Sequence, residues 1–187
     1  ACPDDIPVIQ VKDTLLAMGE LAHHYVAAHP CTTIGITGSN GKTTCKEMVA
    51  QILSQLGPTC KTAGNFNNLI GLPMTLFGLA PDDKYAVLEM GMNAFGEIAR
   101  LAQIAQPQVG LITTVAAAHL EGVGSIEGVA RAKGELFGAL SADQTAIVNA
   151  DNPHIMAQQK TLNCRKLYFT SQPHSKTSLP AHVPMVT

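Results

Sequence analysis

From Cys31 onward, short runs of consecutive apolar residues alternate with longer stretches in which apolar positions recur every three or four residues. TTIGIT, YAVLEM, VGLITT, TAIVNA and KLYF are runs of the first kind, and they predict strands buried on both faces. A further strand is expected at 59–62. The helical period marks 42–56, 95–105, 125–140 and 152–159, and a short helix is expected after TAGNFNNLIGLP. In the first of these, Met48, Val49, Ile52, Leu53 and Leu56 fall on one face, and Gly57-Pro58 ends the helix. Upstream, IPVIQV (6–11) reads as a short strand and 14–28 as a helix stopping before His29-Pro30. This alternation predicts an α/β fold with a mostly parallel sheet and helices on both faces. Ligands of such sheets bind beyond the carboxyl ends of the strands, so the residues after each strand are the candidates for chemistry. The C-terminal TSQPHSKTSLPAHVPMVT is polar and Pro-rich, and reads either as a linker or as the opening of further strands. No internal repeat is present.

One helical stretch breaks its own pattern. In SIEGVARAKGELFGAL (125–140), Ile126, Val129, Ala130, Leu136, Phe137 and Leu140 share a face. Lys133 lies in the middle of that stripe, whereas Arg131 and Glu135 point the other way. Such an ammonium group belongs either to a snorkelling stem or to a helix that faces a cleft.

Composition narrows the class. The 187 residues suffice for one sizeable core, and 46% hydrophobic with 14% charged residues suits a globular α/β domain. A net charge of −2 leaves no basic footprint, and with Trp absent a general nucleic-acid binder is excluded. No run approaches the ~18 apolar residues of a membrane span, and no basic-then-apolar leader is seen. The chain opens ACPDD without Met, so it is expected to be part of a longer protein. Its five cysteines are odd in number and contain no C-x-x-C pair, which argues for reduced thiols in the cytoplasm rather than disulfides or zinc.

The densest chemistry follows TTIGIT. GSNGKTT places Gly38, Ser39, Asn40 and Gly41 in a turn before Lys42, Thr43 and Thr44 open a helix. Backbone N–H groups of such a turn cradle phosphates, the lysine adds a point charge, and a hydroxyl can reach Mg²⁺. Ile36 stands where the strict phosphate-loop pattern has its first Gly, but T-G-x-x-G-K-T-T between strand and helix remains a strong signal. Glu89, at the end of YAVLEM, is placed to hold Mg²⁺ directly or through water, or is a solvated strand-end acid. His119 in AAAHLEG is either structural or ligating, and Glu121 beside it has a weaker case. The remaining histidines show no ligand spacing. Asn65, Asn67 and Asn68 suit a polar, multiply hydrogen-bonding ligand, or equally a loop whose Asn and Gly serve turn geometry.

In this order, TGSNGKTT, TAGNFNNLIGLPMTL, YAVLEMGMN, AAAHLEG, ARAKGELF and NADN resemble the Mur ligase family of peptidoglycan synthesis. GNFNNLIGLPMTL and AHLEGVGS favour the branch that joins D-alanyl-D-alanine to UDP-N-acetylmuramoyl-tripeptide. The resemblance implies a three-domain enzyme. Residues 1–30 would close its N-terminal domain and supply a connecting helix, and 31–187 would form a central ATP-binding domain incomplete at its C-terminal end. It implies ATP and Mg²⁺ as cofactors, an acyl-phosphate intermediate, a cytoplasmic monomer, and no ligation by this fragment alone.

Residue by residue, the resemblance makes Gly38 to Thr44 the nucleotide loop, with Lys42 stabilising the transferred phosphoryl group. Thr43 and Glu89 would bind one Mg²⁺. His119 would help bind a second, together with Lys133 once CO₂ has converted it to a carbamate. Asn149 and Asp151 in NADN would lie near the nucleotide, and Asn65, Asn67 and Asn68 would line the UDP-sugar-peptide site. Thr114 replaces an Asn common in the family, which puts direct contact from that position in doubt. A sibling ligase, a stand-alone ATP-binding module and a small-molecule kinase are the alternatives. The kinase leaves GNFNNLIGLP and Lys133 unexplained.

Overall fold

Each apolar run from Cys31 onward forms a strand. In the computed structural model, residues 7–118 and 120–171 are described. They contain β1 (Thr32–Thr37), β2 (Thr59–Lys61), β3 (Tyr85–Glu89), β4 (Val109–Ile112), β5 (Thr145–Asn149) and β6 (Arg165–Phe169). The six pair in the order β2-β3-β1-β4-β5-β6, every pair parallel. Register aligns Ile36 with Glu89, Thr37 with Ile112, and Ile112 with Val148. The carboxyl ends of the four central strands therefore lie side by side, where the sequence motifs sit.

The helices are α1 (Thr14–Ala27), α2 (Lys42–Leu53), α3 (Gly71–Leu76), α4 (Glu97–Ala105), α5 (Leu120–Val123), α6 (Ile126–Gly138) and α7 (Pro153–Gln158). Side chains start three of them: Asp13 accepts from Leu16 N, Ser125 from Gly128 N, and Asn152 from Ile155 N. Glu135 on α6 accepts from Gly96 N at 2.8 Å and Ala99 N at 3.0 Å, so the charged side of α6 closes the first turn of α4.

The two faces of the sheet are unequal. On one, α4, α6 and α7 pack with α1 and α3 around Leu88, Met90, Ile112, Leu136, Phe137 and Val148. Ala22 and Val26 place α1 in this same core, and Arg100 on α4 pairs with Glu20 at 2.8 Å. On the other face, α2 covers Ile34, Ile36, Val87 and Leu111. Among the described residues no helix is long and apolar enough to cross a membrane.

Two expectations are corrected. Residues 7–11 form no strand, and Val8 and Ile9 are 67% and 87% exposed. β-branched composition supplies no ladder hydrogen bonds where no neighbouring strand is offered. α2 ends at Leu53, and its buried residues are Lys46 and Ala50, while Met48, Ile52 and Leu56 stand exposed. The apolar arc is real, but small Ala50 lets the helix approach the sheet and only the Cys45–Val49–Leu53 edge of the arc reaches it. α5 and a 3-10 turn at Gln159–Thr161 were not anticipated. The Pro-rich tail from 172 and His119 lie outside the described residues.

Candidate phosphate and metal site

β1 is central, and its end feeds the glycine loop. Thr37 Oγ1 donates to Met90 O at 2.8 Å, which ties the β1 end to the residue after β3. A Cβ on Gly38 would sit 1.9 Å from Thr113 Oγ1, so only glycine allows the loop to pass β4. Gly41 precedes α2 with φ 78°, a left-handed conformation that glycine adopts without strain. No side chain caps α2, so the N–H groups of its first turn, at Lys42, Thr43 and Thr44, face outward as an anion-binding end.

The loop is latched to the end of β4. Ser39 N donates to Thr114 O at 2.8 Å, and Ser39 Oγ donates to Ala116 O while accepting from Ala116 N, both at 3.0 Å. Thr113 Oγ1 donates to Asn40 O at 2.6 Å, and Asn40 N donates to Thr114 Oγ1 at 3.2 Å. Thr114 thus reaches the glycine loop with its short side chain. Lys42 folds back along the loop, its Nζ donating to Gly38 O at 3.0 Å.

Glu89 is 3% exposed, and each of its carboxylate oxygens accepts from a neutral donor. Thr43 Oγ1 donates to Oε2 and Asn67 Nδ2 to Oε1, both at 2.8 Å, while Glu89 N donates to Thr62 Oγ1 at 2.9 Å. Asn67 is itself fixed by Gly91 N, which donates to its carbonyl at 2.7 Å. A Cβ at Gly91 would come within 2.8 Å of Asn67 Oδ1. Thr43 spends its proton on Glu89 and keeps its oxygen lone pairs, the donor set that a divalent cation accepts. No group of three or more His, Cys, Asp or Glu able to hold a metal occurs among the described residues. Mg²⁺ held by one or two protein oxygens completes its shell with phosphate and water oxygens.

The three loop asparagines do different things. Asn67 reaches Glu89, Asn68 Oδ1 accepts from Ile70 N and Gly71 N to open α3, and Asn65 is exposed. Asn149 Nδ2 donates to Thr113 O at 2.7 Å and its Oδ1 accepts from Asp151 N, bracing β5 against β4. The exposed carboxylate of Asp151 accepts from Thr170 Oγ1 and from Ser171 N and Oγ, bonds that hold its pKa below the usual range.

Lys133 is 1% exposed, and its Nζ enters none of the side-chain hydrogen bonds found among the described residues, although the buried atom left without a partner there is Gln158 Oε1. Burial, and secondarily the nearby charge of Lys42, pushes its pKa down to about 8. Of the two readings the sequence left open, 1% exposure fits a helix that faces a cleft better than a stem reaching bulk solvent. The structure thus brings together the loop, Thr43, Glu89 and Asn67, and puts Lys133 near enough to Lys42 for the two charges to repel. Asn65, Asn149 and Asp151 sit at separate points along the same strand-end rim. Sequence reasoning missed Lys46 and Thr62, both buried beside Glu89's strand. The available signal was Lys46 standing three, four and seven residues before Val49, Ala50 and Leu53, on the same helical face.

Strand, glycine loop, uncapped helix and buried carboxylate define an α/β domain of the phosphate-loop type. The chain belongs to the Mur ligase family, its residues 36–182 matching the Mur ligase middle domain. It is 50% identical over 164 residues to the UDP-N-acetylmuramoyl-tripeptide–D-alanyl-D-alanine ligase of Escherichia coli K12, covering 88% of this chain and 36% of that protein. The Bacillus subtilis 168 protein of the same name is 40% identical over 177 residues, 95% of this chain and 38% of that one. Among solved structures, the MurF ligase of Thermotoga maritima in complex with ADP superposes with a TM-score of 0.84 at 28% identity. That match covers 92% of this chain and 40% of the other. MurF from Acinetobacter baumannii gives 0.81 at 37% identity, over 89% and 38%. The chain thus spans less than two-fifths of the length of the two curated relatives it matches.

Proposed function

We propose that this chain is the ATP-binding part of an amide ligase of peptidoglycan precursor synthesis that joins D-alanyl-D-alanine to UDP-N-acetylmuramoyl-tripeptide. The observation that carries the reading is the array of Thr43, Glu89 and Asn67 beside the uncapped start of α2. The relatives' names and the ADP bound to the Thermotoga maritima protein support it. Residues 1–30 would close an N-terminal domain, with 31–187 the incomplete central domain and the acceptor-carrying domain lying elsewhere in the longer protein. Such an enzyme works as a cytoplasmic monomer, where ATP and nucleotide-linked substrates are available.

In this reading the N–H groups of residues 38–44 cradle the ATP phosphates, and Lys42 leaves Gly38 O to follow the transferred phosphoryl group. Thr43 and Glu89 would hold Mg²⁺, which supplies neutralisation of phosphate charge when bound. The tripeptide's terminal carboxylate oxygen bonds to the γ-phosphorus as ADP leaves. The dipeptide amine then bonds to the acyl carbon, loses a proton, and phosphate leaves with the C–O bonding electrons. Carboxylate oxygen is a poor leaving group and phosphate a good one, which is why ATP is spent. Asn65, Asn67 and Asn68 would contact the UDP-sugar-peptide, and Asn149 and Asp151 would hold the strand ends near the nucleotide. Lys133 in its neutral form can attack CO₂; a C–N bond forms, the proton passes to solvent, and the anionic carbamate joins His119 as a second cation site.

Titration calorimetry of the chain with Mg-ATP tests the site: saturable binding that Lys42→Ala weakens at least tenfold is expected, and binding indifferent to that change overturns it. In the longer protein, phosphate release should require both the UDP-tripeptide and D-alanyl-D-alanine. Dependence on a different amine moves the assignment to a sibling ligase, and a stable phosphorylated product without amide indicates a kinase.

A further inference from the structure

We infer that Lys46 is a positioning residue that sets the geometry of the Thr43–Glu89 pair through Thr62. The inference rests on the reading of Thr43 and Glu89 as cation ligands. Lys46 lies one turn after Thr43 on α2 and is 1% exposed, an unusual fate for a lysine. Its Nζ donates to Thr62 O at 2.8 Å and pairs with Glu47 Oε1 at 3.1 Å. Thr62, 0% exposed, is where β2 ends and the Asn loop begins. Its own N–H donates to Val87 O at 3.0 Å, and its hydroxyl accepts the N–H of Glu89.

The contacts form a ring. α2 reaches Glu89 directly through Thr43, and reaches Thr62 through Lys46; Thr62 holds the backbone of Glu89, and Asn67, five residues further along the same loop, holds its carboxylate. Lys46 is the buried link that keeps the loop root at a fixed distance from the helix bearing Lys42 and Thr43. An apolar side chain could fill the same space but would leave the Thr62 carbonyl without this donor. Removing a group bonded to a metal ligand typically costs 10- to 100-fold in metal affinity; Thr62 is such a group and Lys46 acts one step behind it, so the low end of that range applies.

The test measures the Mg²⁺ concentration giving half-maximal binding of a fluorescent ATP analogue, in the longest chain containing these residues, beside metal-free binding and thermal melting. Lys46→Met should raise that midpoint about tenfold and change metal-free affinity less than twofold. Lys46→Arg, which keeps a long cationic donor, should recover part of the loss. Thr62→Val should shift the midpoint in the same direction and Thr62→Ser should not; this pair carries the test if Lys46→Met does not fold. Unchanged midpoints in folded Lys46→Met and Thr62→Val, with only a lower melting temperature, overturn the inference and leave the proposed function standing. Wild-type protein that binds nucleotide without any Mg²⁺ dependence overturns both.

Discussion

Lys46 and Lys133 are each only 1% exposed, on helices that cover opposite faces of one sheet, yet they are chemically unlike. The Lys46 ammonium meets a backbone carbonyl at 2.8 Å and a carboxylate at 3.1 Å. The Lys133 ammonium enters none of the side-chain hydrogen bonds found among the described residues, and burial pushes its pKa down to about 8. Burial alone does not decide what a lysine is; the partners left for it inside do. The first is a brace that works as a cation. The second is an amine whose neutral form is within reach near neutral pH, which is what reaction with CO₂ requires.

The widest separation between the two should appear in stability. Lys46→Met leaves a buried carbonyl short of a donor and should cost about 2–3 kcal/mol in urea unfolding at pH 7. Lys133→Met relieves a desolvated charge and should add about 1–2 kcal/mol under the same conditions in CO₂-free buffer. An equal loss from both substitutions would erase the contrast.

Next in size is the pH dependence. A lysine whose folded pKa is about 8 has released its proton where the unfolded chain, near 10.5, still holds it. Stability from this group is therefore flat below pH 8 and rises from 8 to 10.5. The advantage of Lys133→Met should shrink over that window, and profiles that stay parallel would show that Lys133 is not desolvated. In bicarbonate, intact wild-type protein should gain the mass of one CO₂ and the variant should not.

The smallest expected effect belongs to Glu47→Gln. Glu47 is half-exposed and also pairs with Lys61, so its contribution is screened by water. The melting temperature should move by no more than about 2 °C. A shift as large as that of Lys46→Met would transfer the anchoring role from the Thr62 carbonyl to the ion pair.

Much of this was legible beforehand. Uninterrupted apolar runs located β1, β3, β4 and β5 because the centre of a parallel sheet, buried on both faces, tolerates few polar positions; β6, expected to be buried likewise, is an edge strand whose Leu167 and Phe169 are 39% and 43% exposed. The glycine loop and Glu89 stood out because both follow strands, and Lys133 because it interrupts an apolar stripe. The face of α2 did not, since its apolar arc is wider than its contact with the sheet and Ala50 chose the approach. Nor did the division of labour among Asn65, Asn67 and Asn68. Three identical amides in four positions carry no local sign of which one meets a carboxylate contributed from 22 residues further on.

The sequence by itself determined the order of strands and helices, the phosphate loop and the presence of a misplaced cation, because periodicity and turn chemistry are local properties. Only the tertiary structure decided that Glu89 is buried between Thr43 and Asn67, that Thr114 can latch the loop, and that Lys46 is held while Lys133 is not. Each of these depends on which strand ends lie side by side. Sheet order β2-β3-β1-β4-β5-β6 is set by burial summed over the whole chain, and no segment records it alone.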